Sequence, residues 1–496
     1  MVSRQHQQQL SDDNDETTSL IHPNQALNED GTAAVFELRW FIRNSLSIVG
    51  YYALTLMSRT VGVVACGHLG STELAASALA LMFASMTAFS ITYGAMSALD
   101  TLSSQAWTGA RDKTLIGIHL QRTFLILGVM YMVTAVLWLN ATRLFLTIGQ
   151  DPDVAHYAGL YLRYYLLGAP AYSYFEAIRK YTQAQGVMGA SITVQCVVAP
   201  FSILLTYVLT FWMQLGFVGV PLAQSITYWM MLLGIILYAK MVRGSEGWGG
   251  WDLKASLQDW PLFFRYAVPG MINAVSELWC YDLLSLGASY IDVGEKALLL
   301  AAQSILMSLD DLTSSVGWGI STAAAIRVGN RLGENKIPWM AIVTAYIWAT
   351  IAGSITTLIL WTLRYEIAQW FAPAPNDDQE MVRDVVVSLI PLFAVYLVAK
   401  TIGNTCTGIL RGIGRPAITA WINMGSYYGI GCPAAYAMAF IAGWGLSGLW
   451  IGLCLAIFSA AGIHTIYIVN IHWSTLVQKT HHRIKHEEER MISSTS

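Results

Sequence analysis

Charged residues are scarce in this sequence: Asp, Glu, Lys and Arg make up 12 % of its 496 residues, against about 25 % in an ordinary soluble protein. Apolar and aromatic residues reach 55 %, and the mean hydropathy is +0.48. This composition excludes a soluble globular enzyme and predicts an all-helical polytopic membrane protein, because a bilayer-spanning helix needs about 20 mostly apolar residues. The net charge of −3 excludes the basic footprint of a nucleic-acid-binding protein.

Motifs of enzymes and metal sites are also missing. The six cysteines lie inside apolar runs without a CxxC pair, so neither a zinc site nor a disulfide framework is predicted. The chain has no GxxxxGK phosphate-binding loop and no arrangement of a nucleophile with a base. We therefore expect a protein that is not an enzyme, with no catalytic residue, no metal and no cofactor.

Twelve apolar runs predict twelve transmembrane helices. They fall at about 42–66, 72–99, 114–139, 154–180, 188–212, 218–241, 259–291, 296–326, 337–363, 382–410, 416–440 and 446–471. A polar linker over 246–258 separates an N-lobe, 35–245, from a C-lobe, 259–472, with six helices each. Residues 1–34 lack the pattern of a secretory signal, and we expect a disordered cytoplasmic tail there. Residues 473–496 are expected to form a second cytoplasmic tail, solvated along its charged stretch.

Short matches between the two halves indicate an internal duplication. The segment 105–109 matches 329–333, 185–193 matches 411–419, and 215–219 matches 444–448, with offsets that agree to within a few residues. Because each half has an even number of spans, both copies enter the bilayer from the same side, and their pseudo-symmetry axis lies along the membrane normal. A binding cavity is therefore predicted between the halves.

The basic residues are distributed unequally between the two sides of the membrane. Most of the 28 Lys and Arg residues fall on the side of the termini, and the opposite side has only Arg143, Lys296, Arg364 and Arg383. The positive-inside rule then predicts that both termini are cytoplasmic. The sequence does not distinguish the plasma membrane from the vacuolar membrane.

Several ionisable residues fall within the apolar runs, where each costs about 2.5–3.5 kcal/mol to insert and usually faces a cavity or a partner. A structural ion pair or a snorkelling side chain is the alternative. Glu277 lies about eighteen residues into its helix, close to the bilayer centre. A desolvated carboxylate there can respond to its surroundings by gaining or losing a proton. We assign proton or cation coupling to Glu277, Asp282, Asp310 and Asp311.

Aromatic and basic side chains are predicted at the level of these acids. Tyr281 lies four residues after Glu277 and shares its helix face. Aromatic walls suit flat organic molecules and cations, although ordinary helix packing is the alternative for each ring. The candidates for the substrate cavity are Tyr281, Trp279, Lys400, Arg59, Tyr52 and Trp318.

Several short segments, in order along the chain, are similar to signatures of a known family. They are Gly67-His68-Leu69-Gly70 with Glu73-Leu74-Ala75, Leu99-Asp100-Thr101-Leu102 with Gln105-Ala106, Leu120-Gln121-Arg122, Arg327-Val328-Gly329-Asn330 with Leu332-Gly333, and Leu410-Arg411-Gly412 with Gly414. Over about 35–472 the sequence resembles a eukaryotic member of the multidrug and toxic compound extrusion (MATE) family. The resemblance implies two pseudo-symmetric six-helix bundles, rocker-switch alternating access, and antiport of organic compounds or xenobiotics against protons, with sodium as the alternative ion.

The resemblance also assigns residues and shows departures. Glu277 and Asp282 are similar to an acidic pair that eukaryotic members carry in the seventh helix and that is tied to proton or cation handling. Where relatives carry an acid in the tenth helix, this chain has Lys400, and the acid of the eighth helix is displaced to Asp310. We hypothesise that the cavity accepts neutral, zwitterionic or anionic compounds as readily as cations. In this hypothesis Lys400, with or without Arg59, pairs with one of the acids Glu277, Asp310 or Asp311.

Two other functions remain open at this point. A flippase for lipids or lipid-linked sugars would need a lateral opening and more basic residues along its groove. A non-transporting receptor or scaffold would have little use for paired halves and buried acids. We expect a monomer whose partners are a small organic substrate and the lipid bilayer, because two lobes can enclose one pathway.

Overall fold

The computed structural model describes residues 23–291, 296–371 and 377–495, and in these ranges it consists of helices joined by short connections, without a strand. The helices, numbered in chain order, are α1 Pro23–Leu69, α2 Ser71–Gly109, α3 Leu115–Leu139, α4 Ala141–Thr147, α5 Pro152–Tyr165, α6 Ala169–Ala184, α7 Ala190–Trp212, α8 Gly219–Met241, α9 Leu253–Ser256, α10 Trp260–Ala288, α11 Lys296–Gly333, α12 Trp339–Thr362, α13 Arg364–Phe371, α14 Asp377–Gly412, α15 Pro416–Met424, α16 Cys432–Tyr436, α17 Gly445–Val469 and α18 Trp473–Thr495. Helices α2 and α7 include π-helical turns, and two further π-helical turns, Gly425–Gly431 and Ala437–Ile441, flank α16.

Each of the twelve predicted runs lies in one helix or in consecutive helical segments, so the all-helical polytopic fold is confirmed. Eight helices of the described chain are apolar and long enough to cross a membrane: α1, α2, α3, α7, α8, α12, α14 and α17. Among the other segments, α6, α10 and α11 carry the acidic and basic residues singled out below. Their lower hydropathy therefore follows from the residues that make them candidates for function.

The buried core divides between the two halves of the chain. One cluster gathers large side chains of the N-terminal half, such as Trp138 and Phe175, and another those of the C-terminal half, such as Phe393 and Trp450. Two helices, α1 and α10, also pack against the opposite half. Phe263 of α10 belongs to the N-terminal cluster, and Phe41 of α1 packs with residues of α11, α12 and α14.

These contacts of α1 and α10 with the opposite half lie on the side where α2, α11 and α14 end at Gly109, Gly333 and Gly412. We call that side the terminal face, because α1 enters from it and α18 follows α17 on it. The opposite side is called the loop face. The two halves therefore pack most closely against each other at the terminal face.

Two expectations about the ends of the chain are wrong for the described residues. Helix α1 begins at Pro23, so residues 23–34 are helical rather than disordered; residues 1–22 lie outside the described residues. Residues 473–495 form α18, which packs on the protein instead of extending into solvent. The reason is an apolar stripe, since Trp473, Ile484 and Met491 are all buried and recur at helical spacing.

Helix α18 contacts both halves of the molecule. Its Trp473 ring lies 5.3 Å from that of Trp339 in the C-terminal half. The Glu488 carboxylate accepts a 2.7 Å hydrogen bond from the backbone N–H of Asp112 in the N-terminal half. Burial raises the pKa of the neighbouring Glu487 carboxyl, while the nearby Arg483 guanidinium lowers it in part. The C-terminal helix therefore lies across the seam between the halves.

Candidate functional site

A cavity of about 480 Å³ lies between the two halves. It extends from Arg411, near the terminal face, to Ser285 and Met307, nearer the loop face. Of the sequence-predicted residues it is lined by Tyr52, Glu277, Tyr281, Asp282, Asp310, Asp311, Trp318 and Lys400. The structure thus brings most of the candidate residues to one interlobe space.

Lys400 of α14 is buried and saturated with hydrogen bonds. Its Nζ donates to the Asp310 carboxylate at 2.8 Å (Oδ1) and 2.6 Å (Oδ2), and to Ser314 Oγ at 2.7 Å. The ammonium has three protons, so this geometry uses all of them. Asp310 is therefore the partner of Lys400, one of the three acids expected from the sequence.

Two tyrosines complete the surroundings of this ion pair. Tyr396 donates from its hydroxyl to Asp310 Oδ1 at 2.9 Å, and its hydroxyl lies 2.8 Å from that of Tyr281. The Lys400 ammonium lies 4.8 Å from the centroid of the Tyr281 ring, within the range of a cation–π interaction. The buried pair is thus held by a hydrogen-bonded network, which is what a charge pair away from water requires.

Glu277 has a different environment. Its side chain lines the large cavity and also a void of about 20 Å³, bordered by Lys400, Asn404 and His464. The described residues provide no hydrogen bond or ion pair to its carboxylate. Because a void of this volume holds about one water molecule, Glu277 lies between the substrate-sized cavity and a small polar space.

Asp311 and Asp282 also face the large cavity. Asp310 and Asp311 are adjacent on α11, so their side chains diverge by about 100°: Asp310 is buried against Lys400, whereas Asp311 is exposed to the cavity. Asp282, five residues after Glu277, is likewise exposed and lines the same space. Within the described ranges, three acids of the C-terminal half line the cavity without a basic side chain at ion-pair distance: Glu277, Asp282 and Asp311.

Two residues expected at the cavity do not line it. Trp279 is 50 % exposed and points away, because a residue two positions from Glu277 is rotated by about 200° around the helix. Arg59 lies among tyrosines of the N-terminal half, including Tyr93 and Tyr165. The assignment of Trp279 and Arg59 to the cavity lining is corrected accordingly.

A second buried charge cluster lies on α6; Glu176 is recognisable in the sequence as an acid within an apolar run, but its partner Arg179 is not. Arg179, with 1 % of its side chain exposed, pairs with Glu176 at 2.5 Å and donates to the Tyr52 hydroxyl at 3.2 Å. Tyr51 donates to Glu176 at 2.6 Å, and its ring lies under the guanidinium. Both charged residues line the cavity. Their spacing of three residues, typical of a pair on one helix face, was the signal available in the sequence.

Replacing Arg179 by leucine is expected to destabilise the protein by about 3–5 kcal/mol, because Glu176 would keep a buried charge without its partner. Thermal unfolding in detergent, followed by intrinsic fluorescence, measures the effect. The matched control is Arg383→Leu, which removes the basic residue of a pair whose acid, Glu380, is 65 % exposed. Equal melting temperatures for the Arg179 variant and the wild type would contradict a stabilising role.

The terminal end of the cavity is closed by an ion network. Asp100 of α2 accepts from Lys180 at 2.9 Å and lies 3.3 Å from the Arg411 guanidinium. Lys180 and Asp100 belong to the N-terminal half, whereas Arg411 belongs to the C-terminal half. This network therefore joins the halves at the floor of the cavity.

Hydrogen bonds beyond this floor continue the seam to the terminal face. Thr101 donates to the Arg411 carbonyl, Gln105 to the Gly412 carbonyl and Thr108 to the Asn330 carbonyl, each at 2.6 Å. Every one of these bonds runs from α2 to a helix of the other half. The structure therefore represents a state in which the terminal face is closed.

Comparison with known proteins identifies the family. The sequence model of the MatE family matches residues 48–208 and 269–437, one match in each half, which agrees with the predicted duplication. An uncharacterized transporter of Schizosaccharomyces pombe is 34 % identical over 420 residues, which are 84 % of this chain and 76 % of the relative. Multidrug and toxin extrusion protein 2 of Mus musculus is 31 % identical over 422 residues, 84 % of this chain and 72 % of the relative.

The fold agrees with this result. The crystal structure of the eukaryotic MATE transporter AtDTX14 is 24 % identical in sequence and superposes with a TM-score of 0.82, covering 91 % of this chain and 99 % of that structure. The chain therefore belongs to the multidrug and toxic compound extrusion family, and it is a multi-pass membrane transporter and not an enzyme.

Proposed function

We propose that this protein is a secondary antiporter that exports small organic compounds in exchange for protons. Its terminal face is on the cytoplasmic side, in agreement with the excess of Lys and Arg there. It works as a monomer in the plasma or vacuolar membrane, since the two halves of one chain enclose the cavity. The family membership argues against the alternative of a non-transporting receptor.

The observation that carries this proposal is the position of Glu277. The described residues give its carboxylate no hydrogen bond or ion pair, and it borders both the interlobe cavity and the small polar void. A carboxyl group in such a place can exchange a proton with the cavity, and its charge depends on whether the proton is present. Proton binding and substrate binding can then favour different positions of the two halves.

The hydrogen bonds between the two halves at the terminal face support alternating access. In this state the bonds from α2 to the C-terminal half, such as Thr101 to the Arg411 carbonyl, close the terminal face, which in this proposal is the cytoplasmic side. Opening toward the cytoplasm requires these interlobe bonds to break together. Rigid motion of one half against the other around a central site is the usual way in which repeated transporters achieve this.

The lining of the cavity indicates the kind of substrate. Aromatic rings of both halves meet there, with the centroids of Tyr52 and Trp318 5.7 Å apart, and they suit flat organic molecules. Two basic residues, Arg179 and Arg411, line the same surface, each paired with an acid, Glu176 and Asp100 respectively. We propose that cations are accepted there, and that the positive charge on the same surface allows neutral, zwitterionic and anionic compounds as well.

Proteoliposomes with the purified protein test this function. An acidic interior should drive accumulation of a fluorescent organic compound, and a protonophore should abolish it, because exchange against protons uses the pH gradient as its only source of energy. A cationic and a zwitterionic dye should both be transported. Accumulation that is the same with and without the gradient would exclude proton exchange.

A further inference from the structure

We propose that Lys400 is a tethered counter-ion: its ammonium pairs with Asp310 while Glu277 is protonated and turns to Glu277 when that carboxylate is ionised. This inference rests on the proposed proton exchange and deepens it. It gives Lys400 the place that a freely diffusing coupling cation would otherwise take. The protein is then expected to transport without sodium.

The first support is the complete bonding of Lys400 in the present state. Its three protons go to the two Asp310 oxygens and to Ser314, at 2.6 to 2.8 Å. Both carboxylate oxygens of Asp310 are therefore already bound to a cation. A sodium ion would have to displace a covalently attached ammonium from this carboxylate, and it would add a second positive charge beside the first.

The second support is that Asp310 keeps a partner if Lys400 leaves. Tyr396 donates its hydroxyl proton to Asp310 Oδ1 at 2.9 Å and is itself fully buried. A hydrogen bond to a charged group is stronger than one between neutral groups, so Asp310 keeps a strong hydrogen-bond donor when the ammonium turns away. The network around Asp310 thus permits two positions of the ammonium.

The third support is the shared void. Glu277 and Lys400 both border the space of about 20 Å³, and the four-carbon stem of lysine carries a compact charge on rotatable bonds. The groups that face Glu277 from the packed helices are Lys400 of α14, Asp310 and Asp311 of α11, Asn423 and Tyr427 of the segment after α14, and His464 of α17. Among these described groups, Lys400 is the basic side chain that is paired with an acid.

The energetic reason for the exchange is the cost of an uncompensated charge. Ionising a carboxylate away from bulk water is energetically unfavourable, and a nearby cation offsets a large part of this cost. When Glu277 loses its proton, the nearest ammonium lowers this cost by turning toward it. Because Lys400 lies on α14 and Glu277 on α10, the exchange alters how these two helices are held together, which couples the proton to the shape of the C-terminal half.

The test replaces both members of the ion pair, in the variant Lys400→Met/Asp310→Asn. A single change at Lys400 would leave Asp310 charged and buried, whereas the double variant removes both charges and should fold. Glu277 remains in place but has no counter-ion. We expect uptake driven by the pH gradient to fall by about tenfold or more.

Two controls make the outcome decisive. Arg383→Met/Glu380→Gln removes an ion pair at the loop face and should leave uptake unchanged. Wild-type uptake should be the same in sodium and in choline buffers. A double variant with wild-type uptake and pH profile, or uptake driven by a sodium gradient alone, would overturn the role of Lys400. Wild-type protein without any pH-driven uptake would instead overturn the proposed function.

Discussion

Replacing Glu277 by glutamine is expected to reduce pH-driven uptake to the rate of protein-free vesicles. Glutamine has nearly the shape of protonated glutamic acid but cannot release a proton, so the variant is fixed in the neutral form. The described residues give Glu277 no hydrogen bond or ion pair to lose, and therefore we expect its melting temperature to stay within a few degrees of the wild type. Uptake of a fluorescent compound into acidic-interior proteoliposomes measures the effect.

The matched control for this variant is Glu246→Gln, the same chemical change in the exposed connection before α9, where the side chain is 55 % exposed. It should transport like the wild type. Substrate exchange without a gradient should persist in the Glu277 variant, since it needs no net proton movement. Gradient-driven uptake at the wild-type rate in Glu277→Gln would remove this residue from coupling.

Replacing Gly333 by valine is expected to stop the transport cycle by keeping the terminal face open. A side chain there would collide with the Gln105 carbonyl and the Thr108 hydroxyl of the other half, and it would lie 3.0 Å from the Gly109 nitrogen. Overpacking of this kind costs about 1–3 kcal/mol, which lowers the population of the closed state by about 5- to 150-fold. Each half should stay folded, because the clash lies between the halves.

Hydrogen–deuterium exchange measures this change directly. Residues 101–109 should exchange faster in the Gly333 variant, while the core of each half keeps its protection. Gly462→Val is the control, because nothing lies within 4 Å of a Cβ added at Gly462. Normal transport by the Gly333 variant would show that the close approach of α2 and α11 is not needed.

The fold was largely predictable because its signals are strong and local. Twelve apolar runs became helical segments, and the matches between the halves agree with the two family matches. The pairing of Lys400 with an acid was also foreseeable, since a lone ammonium in an apolar run needs a counter-charge. The identity of the paired acid depends on how α11 and α14 pack, and the sequence alone left Glu277, Asp310 and Asp311 as possible partners.

The failures have identifiable physical causes. Trp279 was placed with Glu277 by proximity in sequence, although two positions along a helix point in nearly opposite directions. Arg59 lies among tyrosines that come together only through the packing of several N-terminal helices. Glu176 and Arg179 lie near a helix end, where charges usually meet water, and only the tertiary fold shows that they are buried.

Helix α18 has a mechanical consequence for any motion of the two halves. One of its ends packs on Trp339 of the C-terminal half, and the other is hydrogen-bonded to the backbone at Asp112 of the N-terminal half. It therefore links the two halves. A rigid motion of one half relative to the other then requires one of these two contacts to break in every transport cycle. A bulky protein fused close behind α18 would hinder this release, and reporter fusions are therefore better placed on a long, flexible spacer.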